Sequence, residues 1–214
     1  MKKFLILLSV LLLPFQAQAA LVATLGNTIL PGTSILLEDG LENTEQQAFN
    51  EAQGVVLSRD IDVFGGTILA GTRVDSHIIF LNSVGNTLLQ DIRDWTFDGL
   101  ILGVMADRGG TQMAATDDLF ANGIYFTDRT GNPLVSGSGF DAQGLEDIGT
   151  TSRYADNFTI AGMMLNVEMN VTEPGDWIRV ITTSAVPVPA ALFLFAPALL
   201  GFLGLRRKVS STVA

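Results

Sequence analysis

The chain has 214 residues, with 12 Lys+Arg against 22 Asp+Glu, no cysteine and one histidine. Without cysteine, thiolate zinc sites, redox motifs, cysteine nucleophiles and disulfide frameworks are excluded, so a packed core must supply the stability. A single histidine, His77, excludes His-Glu-x-x-His zinc sites and most transition-metal centres. The formal net charge of −10 argues against binding DNA, RNA or anionic polysaccharide through phosphate- or sulfate-type contacts.

The first 19 residues read as a secretory signal peptide. Lys2 and Lys3 precede an apolar stretch from Phe4 to Phe15, and Ala17-Gln18-Ala19 supplies an Ala-x-Ala cleavage site, so the mature chain is expected to begin at Ala20. Signal peptidase and the secretion machinery are the partners this implies. The alternative, an uncleaved anchor, fits poorly because the apolar region is short and is broken by Pro14.

From Ala20 to residue 185 the sequence reads as one all-β domain. Leu21-Val22-Ala23, Ile29-Leu30 and Ile35-Leu36-Leu37 are short apolar runs separated by Gly26-Asn27 and Pro31-Gly32. Glu38 to Gln53 is polar, and Leu41, Ala48, Phe49 and Ala52 suit one helical face, so a short helix or an acidic loop is expected there. Strands resume at Gly54. Val55 to Leu57 with Ile61 and Val63 reads as one strand interrupted at Ser58, with turns at Gly65-Gly66 and Gly71 around a short strand Thr67 to Ala70. In Arg73 to Leu81, Val74, Ser76, Ile78 and Phe80 share one face, and Asp75, His77 and Ile79 lie on the other. A lone strand histidine is ordinarily a surface or internally satisfied residue rather than a catalyst.

Asn82 to Asp94 reads as a turn at Gly85-Asn86 and a polar link. Asp98-Gly99 suits a type I′ hairpin between Trp95-Thr96-Phe97 and a central strand Leu100 to Met105. Asp107 to Asn122 is a loop with one helical turn at Ala114 to Phe120, Gly123 to Thr127 a short strand, and Asp128 to Thr150 a glycine-rich surface loop. Met164 to Thr172 alternates strictly, with Leu165, Val167, Met169 and Val171 inward. With the Pro174-Gly175 turn and Trp177 to Ile181 it predicts a hairpin. The spacing of strands and turns predicts a single β-sandwich or jelly-roll-like domain.

Past this domain, Val186-Pro187-Val188-Pro189-Ala190 leads into an apolar run from Ala190 to Leu205, followed by Arg206, Arg207 and Lys208 and the short tail 209–214. Sixteen helical residues cover roughly 24 Å, and the uncharged residues from Val186 bring the segment to a minimal transmembrane span. Each of the three cations would cost about 2.5–3.5 kcal/mol at the bilayer centre, so they act as a stop and orient the tail to the cytoplasm. A buried core helix is the competing reading, which a terminal position and a triple-basic flank do not suit.

Proline motif, short span and basic cluster, in that order, resemble the PEP-CTERM sorting signal in its VPxPA-type variant, over about the last 30 residues. The resemblance implies an exported protein of a Gram-negative bacterium. It would be anchored transiently in the inner membrane by 186–208, read at Val186 to Ala190 by an exosortase, and passed to the cell envelope or beyond. The stretches FNEAQGV, AGTRVDSHIIFLN, WTFDGLILGVM and PGDWIRVIT also resemble a small β-rich domain carried by other proteins with this signal.

Removing both signals sharpens the charge. The remainder holds seven arginines, no lysine and all 22 carboxylates, a net charge of −15. The bland account is solubility after export. Carboxylate pairs for glycoside hydrolysis can be drawn from Asp91, Asp94, Asp98, Asp117 and Asp118, yet with so many acids such pairs arise by chance. Neither Asp128 to Asn132 nor Asp141 to Asp147 keeps EF-hand ligand spacing, so no cofactor is expected, with a structural calcium between sandwich loops left open. Two functions follow. The first is a non-enzymatic envelope or matrix protein associated with exopolysaccharide or biofilm. The alternative is a carbohydrate-binding module or glycan-active enzyme, which needs an exposed aromatic platform from Trp95, Trp177, Tyr125 or Tyr154.

Overall fold

The computed structural model describes residues 20–22, 27–30, 36–37, 43–83, 87–121, 126–127, 133–134, 144–172 and 175–184, all within the compact unit Ala19–Ala185. In chain order its elements are β1 (Leu21–Val22), β2 (Thr28–Leu30), β3 (Leu36–Leu37), β4 (Gln47–Val56), β5 (Ile61–Val63), β6 (Gly66–Ile68), β7 (Arg73–Leu81), β8 (Leu89–Phe97) and β9 (Ile101–Met105). These are followed by α1 (Thr111–Ala114), α2 (Asp117–Phe120), β10 (Phe126–Thr127), β11 (Pro133–Leu134), β12 (Asn157–Ala161), β13 (Met164–Val171) and β14 (Asp176–Thr183). The all-β, sandwich-like expectation is met.

A four-stranded sheet, β1-β8-β13-β12, is antiparallel throughout. A five-stranded sheet, β2-β4-β7-β14-β9, is antiparallel except for the parallel β2–β4 pair. Leu165, Val167 and Met169 of the first sheet meet Ile79, Ile178 and Val180 of the second in one buried cluster. The opposite face of the five-stranded sheet is covered as well. Phe49, Ile78, Phe80, Trp177 and Ile181 pack there against Ile61 and Val63 of the β5–β6 hairpin and against Met113 and Phe120 of the short helices. β7 and β14, covered on both faces, are therefore buried almost end to end, whereas β13 alternates.

Four sequence expectations are corrected here. Gln47 to Gln53 is strand, not helix or loop: Ala48 and Phe49 enter opposite cores, and the polar Asn50 and Glu51 find partners inside the protein. Ile61 and Val63 form a strand separate from Val55-Val56. Leu89 to Asp94 continues β8 rather than forming a link. Its alternation is disguised because Asp91 and Arg93 share the inward parity of Trp95, while Ile92 is 55 % exposed. Leu100 to Met105 holds an edge strand, not a central one: among the described strands β9 pairs in its sheet with β14 alone. Its apolar character reflects the β5–β6 hairpin over it, where Phe64 N–H donates to the Val104 carbonyl at 2.7 Å.

Both expected hairpins are instead crossings between sheets. β8 and β9 belong to different sheets, and the Asp98-Gly99 link passes so close to β14 that a Cβ on Gly99 would lie 2.2 Å from the Thr183 carbonyl oxygen. β13 and β14 are likewise in different sheets. Their link ends at Gly175, whose φ of 92° and 2.6 Å approach of a built Cβ to the Leu81 carbonyl admit no side chain. Beside the β5–β6 hairpin, a hairpin pairs β12 with β13 around Gly162.

Candidate functional site

The most concentrated polar chemistry lies on the helix-covered face of the five-stranded sheet. Arg179, fully buried on β14, donates through Nε and Nη2 to the two oxygens of Glu51 at 2.7 and 2.6 Å. Nη2 also reaches Asp117 Oδ1 at 2.8 Å, and Nη1 donates to the Met113 carbonyl and the Thr116 hydroxyl at 2.7 and 2.8 Å. Ser76 donates to Glu51 Oε2, and the guanidinium stands 5.4 Å from the Phe120 ring centroid. Burial alone would lower the Arg179 pKa, but the Glu51 and Asp117 carboxylates outweigh it and hold the cation above its ordinary value. Burial raises the Asp117 carboxyl, with Arg179 opposing that shift. The arrangement is a strut that ties both short helices to the sheet.

Above this strut a cleft of about 340 Å³ opens between β5 and α1, lined by Arg59, Asp60, Asp62, Thr111, Gln112 and Thr116 among others. Arg59 bridges the wall, donating to both oxygens of Asp118 and to the Ala115 carbonyl. Asp107 braces the helix start by accepting from the Thr111 amide and hydroxyl and from the Gln112 amide. Asp60 accepts from the Ala70 amide and Asp62 from the Thr67 hydroxyl. Gln112 Oε1 is buried and accepts no hydrogen bond. The cleft wall thus carries the carboxylates of Asp60 and Asp62 and the Gln112 amide oxygen beside the hydroxyls of Thr111 and Thr116.

The acids from which carboxylate pairs could be drawn are each engaged in a separate structural contact. Asp91 lies inward, accepting from the Gln46 amide and Arg93, whereas Asp94 faces outward and accepts from Asn166. Asp98 accepts from the Ala20 amide at 2.5 Å. Asp117 is buried under Arg179, and its neighbour Asp118 pairs with Arg59 at the surface. Among the described residues no group of three His, Cys, Asp or Glu side chains could hold a metal ion, and Asp128 to Asn132 lies outside those residues.

His77 is an internally satisfied core residue. Nδ1 donates to Asn50 Oδ1 at 2.8 Å, since that oxygen can only accept, and Nε2 then accepts from the Thr182 hydroxyl at 3.0 Å. Burial pushes its pKa down to about 3. Trp95 and Trp177 are buried: Trp95 Nε1 donates to Gln46, and Trp177 stacks on Phe80 at 4.4 Å. Of the candidate platform residues only Tyr154 is seen exposed, beside Arg153, and Tyr125 lies outside the described residues.

Sequence reading missed two buried groupings. One is the Glu51–Arg179–Asp117 strut. The other joins Asp176 to Asp156, whose oxygens accept from the Glu146 and Asn170 amides at 2.5 and 2.7 Å. Burial, then the charges of Asp156 and Glu146, push Asp176 up to about 9, so it carries a proton at neutral pH. Arg179 inside the apolar run Trp177 to Ile181 was the sequence signal for the first, and the second had none of that kind.

Ala17, Ala19, the motif Val186 to Ala190 and the cluster Arg206, Arg207 and Lys208 lie outside the described residues. Among the described residues no helix is long and apolar enough to cross a membrane. Compared with protein-family models, curated proteins and solved structures, the chain matches none of them.

Proposed function

We propose that this chain is an exported, non-enzymatic envelope or extracellular-matrix protein, sorted and cleaved by an exosortase and associated with exopolysaccharide. The observation that carries the reading is the order of Val186-Pro187-Val188-Pro189-Ala190, the apolar run and Arg206-Arg207-Lys208, facing an Ala17-Gln18-Ala19 cleavage site at the other end. Two fixed proline φ angles and two missing N–H donors hold such a motif extended, as a protease requires. The site chemistry is consistent with it: the acids singled out for glycoside hydrolysis are each engaged in a different structural contact.

The test is the intact mass of the protein recovered from its native host, beside a variant with Arg206, Arg207 and Lys208 changed to Gln. A mass beginning at Ala20 and ending between Pro187 and Ala190, lost in the variant, is expected. A mass running through Ala214 would reduce the protein to a single-span membrane protein.

One observation favours a second reading, a glycan-binding module. Gln112 Oε1 is a buried acceptor without a donor in a cleft lined by Asp60 and Asp62, a setting that a sugar hydroxyl would complete. Calorimetric titration with neutral oligosaccharides, with Gln112→Leu as control, tests it. Absence of heat at millimolar ligand removes it.

A further inference from the structure

Among the described residues, strand β12 ends the four-stranded sheet, with no strand beyond it. Four of its five residues are exposed. Phe158 and Ile160 oppose the inward Val167 and Leu165 of β13, so they point towards the sandwich interior. Yet Ile160 remains 45 % exposed. Phe64, half exposed on the β5–β6 hairpin, meets Phe158 edge to face at 5.3 Å and widens this apolar seam.

The other edges of the two larger sheets differ. β1 has two residues and β2 three, and β9 is covered by Phe64. Exposed edges are ordinarily blunted by lysine, proline or inward charge. β12 has none of these, and residues 157–167 carry no charge at all in a stretch that has 22 carboxylates and no lysine between Ala20 and residue 185. An acidic domain repels a second copy of itself at most approaches, and this neutral edge is where that repulsion is weakest.

The strand is also self-complementary. In an antiparallel pair centred on Thr159, Phe158 of each copy lies opposite Ile160 of the other, Thr159 opposite Thr159 and Asn157 opposite Ala161. That gives two aromatic–β-branched pairs and one Thr–Thr pair, the combinations favoured across strands, with no like charges opposed. A two-fold axis through Thr159 uses the same patch on both copies and closes the assembly. We propose that β12 is a self-pairing edge, through which a second copy of this chain adds antiparallel about Thr159 to form an eight-stranded sheet.

The absence of cysteine provides the test. Thr159→Cys and Asn157→Cys are made separately in the full chain, expressed, exposed to a mild oxidant and run without reductant. Directly opposed Cα atoms lie about 4.5–5.5 Å apart, so Thr159→Cys is expected to link to itself at twice the chain mass. Asn157 is displaced by four residues from its copy, about 13 Å, beyond the reach of about 7 Å for a disulfide, and stays single. Adding Ile160→Lys to Thr159→Cys is expected to cut the linked fraction at least tenfold. The proposal is overturned if Thr159→Cys stays single, if it links only to another protein, or if Asn157→Cys links equally well.

Discussion

Arg179 and Glu51 stand 128 residues apart in the chain, yet meet through two parallel hydrogen bonds of 2.6 and 2.7 Å with neither side chain exposed. Removing one member of a buried pair costs about 3–5 kcal/mol when the other charge is left alone. Here Arg179 keeps Asp117 at 2.8 Å as a second counter-ion, which places the loss at the lower end of that range. Glu51→Ala is therefore expected to lower unfolding stability in urea by about 3 kcal/mol. An apolar replacement of both, Glu51→Leu with Arg179→Met, should lose less than the sum of the single changes. Equal additivity would show that the two are not coupled.

The buried histidine sets the acid limit. His77 titrates at about 3 in the fold against 6.5 for an ordinary histidine, so the unfolded chain takes the proton first. Stability from this residue is complete above about pH 6.5 and drains as the pH falls from there towards 3. The size is a few kcal/mol, at about 1.4 kcal/mol per pH unit. Urea midpoints at pH 7, 5 and 3.5 should fall in that order, and His77→Gln should flatten the fall. A parallel decline in both proteins would assign the loss to the carboxylates instead.

Asp176 acts in the opposite direction. Its folded pKa of about 9 exceeds 3.8, so the fold holds a proton that the unfolded chain releases. Its contribution is greatest below about pH 4 and drains as the pH rises towards 9. Asp176→Asn keeps the neutral shape and is expected to raise stability at pH 8 while changing little at pH 4. No gain at pH 8 would mean the carboxyl is already ionised in the fold.

How far the sequence revealed this protein depended on where polar residues find their partners. β13 was legible because its polar residues face outward and its apolar ones inward. β4 was hidden because Glu51 and Asn50 are answered by Arg179 and His77, groups distant in sequence. β8 was hidden because Asp91 and Arg93 occupy inward positions and pair with each other there. Alternation identifies a strand and its faces but not its sheet. The β13–β14 and β8–β9 links, with turn-forming residues in both, therefore read as hairpins although each crosses from one sheet to the other. The cleft was illegible for the same reason as the strut: β5 and α1 are brought together only by the tertiary fold.

Gly175 makes the second crossing possible. A Cβ there would lie 2.4 Å from Asn82 Oδ1 and 2.6 Å from the Leu81 carbonyl, at a φ of 92°. Backbone cannot yield as a side-chain tip can, so Gly175→Ala is expected to cost at least about 2 kcal/mol, combining strain and clash. Gly65, also at positive φ but with nothing within 4 Å of a Cβ, is the control, and alanine there should cost about 1 kcal/mol. Thermal melts of the two variants separate the terms, and similar losses would refute the close approach.

The start of the β-domain offers a check that joins structure to processing. The Ala20 amide nitrogen lies 2.5 Å from Asp98 Oδ1, and its carbonyl accepts from the Asp98 amide. Cleavage after Ala19 would turn that amide into an ammonium facing a carboxylate, replacing a neutral donor with a charge-assisted one. The pair is exposed, so the gain in stability is expected to be below about 1 kcal/mol. Reactivity is the sharper readout. In the processed protein the Ala20 amine should acylate slowly at pH 8, and Asp98→Asn should speed it several-fold, with salt narrowing the difference. A terminal amine equally reactive in both proteins would place the mature N-terminus away from Asp98, and with it the cleavage site away from Ala19.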